Sequence, residues 1–183
     1  MVASTSFRLK DTVSKPRSIA ATYLKQPTAH DHICALARTS EDKFIFFGGD
    51  AAHHPGEYRP TSHLPLPVDI RPSPLEAPSS ASVCAGTIFE NVHHAKDAGG
   101  NYRTTPFYEM SPIANVSLPD AQATVDKMQL FDASPNVFVV IAHDDSLFDI
   151  LPFYPKNTTS WDATGNKTLC TWRFLKDFGK ALQ

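Results

Sequence analysis

No apolar run in this 183-residue chain approaches the ~20 residues that a membrane span requires. Residues Met1 to Lys10 lack the apolar core of a secretory signal. Cysteine is scarce: Cys34, Cys84 and Cys170 are odd in number, widely spaced and form no Cys-x-x-Cys pair. Neither a disulfide framework nor a thiolate zinc site is therefore expected, and a reducing, cytoplasmic setting is. Charge of one sign is missing as well. The 17 Lys and Arg stand against 19 Asp and Glu, a formal net charge of -2, with no block of like charge. Neither nucleic acid nor membrane is expected as a partner. The Asn-x-Ser/Thr sequons at Asn115, Asn157 and Asn166 carry no meaning without a secretory signal.

What is present suits one domain with a real core. Residues 1–31 are basic and rich in Ser, Thr and Ala, with Pro16 interrupting any periodicity, and are expected to be poorly ordered. From His32 the pattern changes. His32 to Arg38 is a strand candidate, Thr39 to Asp42 a polar turn, and Phe44 to Phe47 a second strand, together an antiparallel hairpin. Residues 57 to about 105 carry Pro60, Pro65, Pro67, Pro72, Pro74 and Pro78 without helical period. They read as a long loop outside the sheet, either a lid or substrate wall or a solvated insertion. Ser117-Leu118-Pro119-Asp120 marks a helix start, with Ser as N-cap and Pro in the first turn. Leu118, Ala121, Val125 and Met128 share one face of that helix, which stops before Pro135. Asn136 to Ala142 is β-branched and apolar, the pattern of a strand buried on both faces. Thr171 to Phe178 reads as an amphipathic C-terminal helix. The order of elements is that of an α/β chain with α+β layering.

Chemistry concentrates where strands stop. Phe44-Ile45-Phe46-Phe47 runs into Gly48-Gly49, then Asp50, then His53-His54-Pro55-Gly56. His32 opens the preceding strand, and His143 follows the Asn136 strand. Two neutral imidazoles and a carboxylate are donors that zinc accepts, and an open fourth position leaves room for chemistry. The plainer alternative is a polar turn in which Asp50 caps backbone N–H groups. The histidines, eight in the chain, are then surface or hydrogen-bonded core residues.

Three stretches carry a family resemblance. They are His32-Ile33-Cys34-Ala35-Leu36-Ala37-Arg38, then Phe46-Phe47-Gly48-Gly49-Asp50-Ala51-Ala52-His53-His54-Pro55-Gly56-Glu57-Tyr58-Arg59-Pro60, then Phe138-Val139-Val140-Ile141-Ala142-His143-Asp144. Over about residues 32–182 the chain resembles the C-terminal half of a metallo-β-lactamase superfamily hydrolase, near its lactonase-like fungal members. The resemblance implies half of an αβ/βα sandwich and zinc as the metal. It implies His32, Asp50 and His143 as ligands, with Asp50 the bridging carboxylate. The expected chemistry is hydrolysis of a small lactone or ester by metal-bound hydroxide. His53, with Asp50 a catalytic candidate, stands where lactonase-like members often carry a tyrosine that assists the substrate carbonyl.

Two departures accompany it. The family's His-x-His-x-Asp-His motif is absent, and the Pro-Gly expected before the first matched ligand is His30-Asp31. The departures imply a truncated half-domain with an incomplete zinc site and impaired hydrolysis, and they leave open whether this chain is an enzyme. The alternative is a non-catalytic fragment or pairing module that self-associates through its uncovered sheet.

Overall fold

Phe44, Ile45, Phe46 and Phe47 alternate between two apolar surfaces, and both surfaces are in use. The computed structural model describes residues 21–25 and 33–183. In chain order it contains β1 (Ala21–Lys25), β2 (Ile33–Arg38), β3 (Phe44–Gly49), β4 (Asp69–Ile70), β5 (Cys84–Ala85), α1 (Leu118–Ala133), β6 (Val137–Ile141) and α2 (Asn166–Thr171). A four-stranded sheet has the order β1-β2-β3-β6, and β4 and β5 form a separate ribbon. The hairpin pairs Ala35 with Phe47 and Ala37 with Ile45. β6 lies parallel to β3, with Phe44 opposite Val137. The architecture is mixed helix and strand, α+β.

β1 falls in the stretch expected to lack order. Its five residues include β-favouring Thr22 and Tyr23 and pair antiparallel with β2, which gives backbone donors and acceptors of β2 their partners. The rest of residues 1–31, and His32 with them, lie outside the described residues.

One face of the sheet packs under α1. Cys34, Phe46, Val137, Val139 and Ile141 meet Ala121, Val125 and Met128 there. A Cβ on Gly48 would sit 2.9 Å from Ile141 Cγ2 and 3.2 Å from Met128 Sδ, so glycine lets the helix come this close. Leu118 departs from the expected helix face: it is exposed, and Thr124 and Asp132 are buried instead. Ser117 keeps the extended N-cap backbone but its side chain makes no capping bond. Across the sheet, Ile45 and Phe138 pack with Leu147, Trp161 and Cys170. β6 is thus covered on both sides, as its unbroken apolar run requires.

Two other expectations need correction. The proline-rich stretch is no solvated insertion. Leu66, Ile70, Cys84, Phe89 and Phe107 build a second core with Phe174 and Leu175, and the burial of those large side chains holds the loop down. No strand of the four-stranded sheet comes from it. The C-terminal segment is not one helix either. α2 ends at Thr171, Trp172 leaves helical geometry at φ -109 and ψ 8, and Arg173–Phe178 continues as a 3-10 turn. Burying Phe174 and Leu175 against Phe107 and Phe89 decides that path over helix propensity.

Buried polar groups join these layers. Arg59 binds Asp132 through two bonds, Nε to Oδ2 at 2.7 Å and Nη2 to Oδ1 at 2.5 Å, and donates to Thr171 O at 3.0 Å. Lys167 Nζ donates to the carbonyls of Asp132, Ser134 and Val137, closing the C-terminus of α1 onto the start of β6. Cys34, Cys84 and Cys170 are buried. Among the described residues no helix is long and apolar enough to cross a membrane.

Candidate active site

Parallel pairing brings the ends of β3 and β6 to the same edge. The register shifts between Phe47 and Gly49, Gly49 adopts φ 54, and Ala142 N still donates to Gly49 O at 3.0 Å. A shifted register followed by a left-handed glycine turns the chain sharply at the end of β3. Asp50 comes next, and two residues beyond β6 comes His143. Their side chains meet: His143 Nε2 lies 3.0 Å from Asp50 Oδ1, across 93 residues of sequence. Both are about half exposed, so the pair is open to solvent and to a small molecule.

His53 adjoins the pair. Its ring centroid is 5.1 Å from that of His143 at an interplanar angle of 34°. His53 Nδ1 is buried and has no hydrogen-bond partner among the described residues. The turn carrying it is built reciprocally. His53 N donates to Glu57 Oε2 at 2.7 Å, and Gly56 N donates to His54 Nδ1 at 3.0 Å, so that each side chain satisfies a backbone donor of the Pro55–Glu57 turn.

Three further histidines, His54, His93 and His94, have side-chain partners. His54 accepts at Nδ1, so its Nε2 carries the proton and donates to Asp177 Oδ2 at 3.1 Å. His93 accepts from Ala95 N at Nδ1 and donates from Nε2 to Thr105 O at 2.9 Å. Burial lowers its pKa. His94 Nε2 contacts Pro106 O at 2.9 Å. Asp144, next to His143, turns inward and accepts from Ser146 N and Oγ, and burial raises its pKa. It caps a 3-10 turn.

Of the residues singled out in the sequence, Asp50, His53 and His143 therefore gather at one edge, and His32 lies outside the described residues. Glu57 and Asp177, which hold the loop, were not singled out. Glu57 has a local signal, a carboxylate closing a short turn that begins with proline. Asp177 has none, because its partner is 123 residues away.

A carboxylate oxygen and an imidazole nitrogen 3.0 Å apart suit zinc in kind, at a spacing that two bonds of ~2 Å can span. They do not suffice in number. Among the described residues no group of three His, Cys, Asp or Glu side chains is arranged to hold a metal ion.

No protein-family model and no solved structure matches the chain. Curated proteins do. The metallo-hydrolase mfmC of Annulohypoxylon moriforme is 38% identical over 165 residues, which are 87% of this chain and 41% of that protein. The gamma-lactamase FDB1 of Fusarium pseudograminearum is 36% identical over 164 residues, 85% of this chain and 38% of that protein. A protein named cytochrome P450 monooxygenase mpaDE, from Penicillium roqueforti, is 34% identical over 165 residues. The match takes in 88% of this chain but 16% of that much longer protein. This chain thus spans about two fifths of the metallo-hydrolase and gamma-lactamase relatives.

Proposed function

We infer that this chain, a homologue of metallo-hydrolases and gamma-lactamases of the metallo-β-lactamase family, carries part of the site of a zinc-dependent hydrolase acting on a cyclic ester or cyclic amide. The observation that carries this reading is the meeting of Asp50 and His143 at the ends of adjacent parallel strands. The gamma-lactamase names of two relatives suit a cyclic amide, and the resemblance read from the sequence suits a lactone. Both substrates present an acyl carbonyl within a ring.

Asp50 Oδ1 and His143 Nε2 are the atoms to hold the metal, with His32 as the third ligand. Zinc, when bound, supplies Lewis-acid polarisation of the substrate carbonyl and of a water. Taking that role requires His143 to present an unprotonated Nε2, so any proton it donates to Asp50 must leave. Asp50 supplies the negative charge. The His53 ring lies beside His143, with centroids 5.1 Å apart, and we assign His53 the hydrogen bond to the substrate carbonyl. Three widely spaced cysteines without a Cys-x-x-Cys pair suit a reducing compartment, and the cytoplasm is where we place the reaction.

The family's His-x-His-x-Asp-His motif is absent from the sequence, and on that ground we take the isolated chain as an impaired catalyst. Calorimetric zinc titration should give one weakly bound ion or fewer per chain. Hydrolysis of a γ-lactone and a γ-lactam should fall far below the ordinary enzyme rate of ~10 per second. Two tightly held ions with turnover at that rate would overturn the impaired reading. Absence of both zinc binding and hydrolysis would overturn the hydrolase reading itself.

A second reading has its own observation. Ile33 and Phe47 lie on one face of the sheet, away from α1, and are 56% and 45% exposed. Apolar side chains so placed on a sheet favour pairing with another surface, and we take a second copy of the chain as that partner. Sedimentation should then show a concentration-dependent dimer that Phe47→Ser dissolves. A monomer at all concentrations sinks this reading.

A further inference from the structure

We propose that Asp177 is a positioning residue for the Asp50, His53 and His143 site, acting through His54. The proposal rests on the hydrolase reading for what the site does, and on geometry for how the site is held. His54 connects Asp177 to the site. It is adjacent to His53 in the chain, and its Nδ1 accepts the Gly56 N–H that shapes the Pro55–Glu57 turn. A ring that must point Nδ1 inward can serve that turn only if something fixes its other edge. Asp177 Oδ2 does so at 3.1 Å, accepting from Nε2 and thereby also fixing the tautomer. Tyr108 and Phe174 meet the same ring edge-on at centroid distances of 4.6 and 5.6 Å, which leaves rotation as its remaining freedom.

Asp177 is itself presented from an anchored element. In the same 3-10 turn, Arg173 donates to Asp149 and to the carbonyls of Pro74 and Glu76. Lys176 donates to Asp149 at 2.7 Å. The hydrogen bonds from Lys176 and Arg173 hold the Asp149 carboxyl below the usual range. The last turn thus ties together the proline-rich loop, the turn after His143 and, through Asp177, the turn after Asp50. Without Asp177 the His54 ring is free to rotate, Gly56 N loses its acceptor, and the His53 backbone shifts with the turn. The face that His53 presents to His143 then changes.

Imidazole nitrogen spectra of the full ¹⁵N-labelled chain at one fixed pH test this without any turnover. The unaltered chain should show His54 as the neutral tautomer protonated at Nε2. Asp177→Asn keeps an oxygen acceptor and should preserve the His54, His53 and His143 signals. Asp177→Ala should lose the His54 pattern and move the His53 and His143 signals. Asp177→Ser, too short to reach His54 and still polar, should repeat that result should the alanine variant fold poorly. Lys180→Ala, exposed in the same C-terminal stretch, should change none of them. Where hydrolysis is measurable, kcat should fall on the order of tenfold in Asp177→Ala with KM unchanged, and recover in Asp177→Asn. Unmoved His53 and His143 signals in the folded alanine and serine variants overturn the proposal. So does an asparagine variant that behaves like alanine. A chain that turns over no substrate, yet shows the expected spectra, sinks the hydrolase reading and leaves the positioning role in place.

Discussion

Asp50→Ala should remove zinc binding by this chain and, with it, whatever lactone or lactam hydrolysis the chain performs. Asp50 is the carboxylate at the edge where β3 and β6 end, and its partner there is the imidazole of His143. Deleting it takes away the negative charge that offsets a divalent cation, and an imidazole alone cannot replace that charge. The loss should exceed the roughly 10–100-fold that removing an outer-shell partner costs a metal site. Asp50→Asn keeps the shape and one oxygen but not the charge, and should fall nearly as far. Asp145→Ala, an exposed carboxylate two residues after His143, should bind zinc as the unaltered chain does. Calorimetric titration of these variants checks the order. Equal zinc affinity in Asp50→Ala and the unaltered chain would place the metal elsewhere.

The largest effect on stability is expected at Arg59. Arg59 and Asp132 are each 2% exposed at the side chain and share two hydrogen bonds across 73 residues. Tyr58 adds its ring, with the guanidinium carbon 4.7 Å from the centroid. Arg59→Met leaves the Asp132 carboxylate buried without its cation and should cost about 3–5 kcal/mol. At about 2–4 °C per kcal/mol for a chain of this size, melting should fall by roughly 6–20 °C. Arg59→Met with Asp132→Leu removes both charges and should recover much of the loss, because a buried pair contributes little net beyond an apolar replacement. A single variant that melts within a degree or two of the unaltered chain would show that water reaches the pair.

Lys167 reports on the same layer through pH. Burial pushes its pKa down from 10.5 to about 8. Between those values the unfolded chain holds the extra proton, so stability should rise as pH increases from about 8 towards 10.5. Lys167→Met should flatten that rise in a series of melts. It should also lower stability at neutral pH, because the carbonyls of Asp132, Ser134 and Val137 lose their donor.

Local pattern was enough for part of this molecule. The Asn136 run is β-branched and unpolar, so it could only be a strand covered on both faces, and Val137, Phe138, Val139 and Ile141 are buried accordingly. Thr39 to Asp42 between two apolar runs made a hairpin, and Pro119 and Pro135 bracketed a helix, because turn and proline sterics act over a few residues. The placement of Asp50 and His143 just past strand ends was legible for the same reason. Their meeting was not. It depends on β6 lying parallel to β3 in one register, with a shift after Phe47. A different register would carry His143 past Asp50. The sequence left the proline-rich stretch open between a lid or substrate wall and a solvated insertion, because Leu66, Ile70, Phe89 and Phe107 follow no local period, and their burial exists only once Phe174 and Leu175 arrive from the far end of the chain. The same holds for Arg59 with Asp132 and His54 with Asp177. The residue types at a strand end are written locally, whereas the partner each one finds is set by side chains brought together across the fold, and the distance between such partners is not encoded in spacing along the chain.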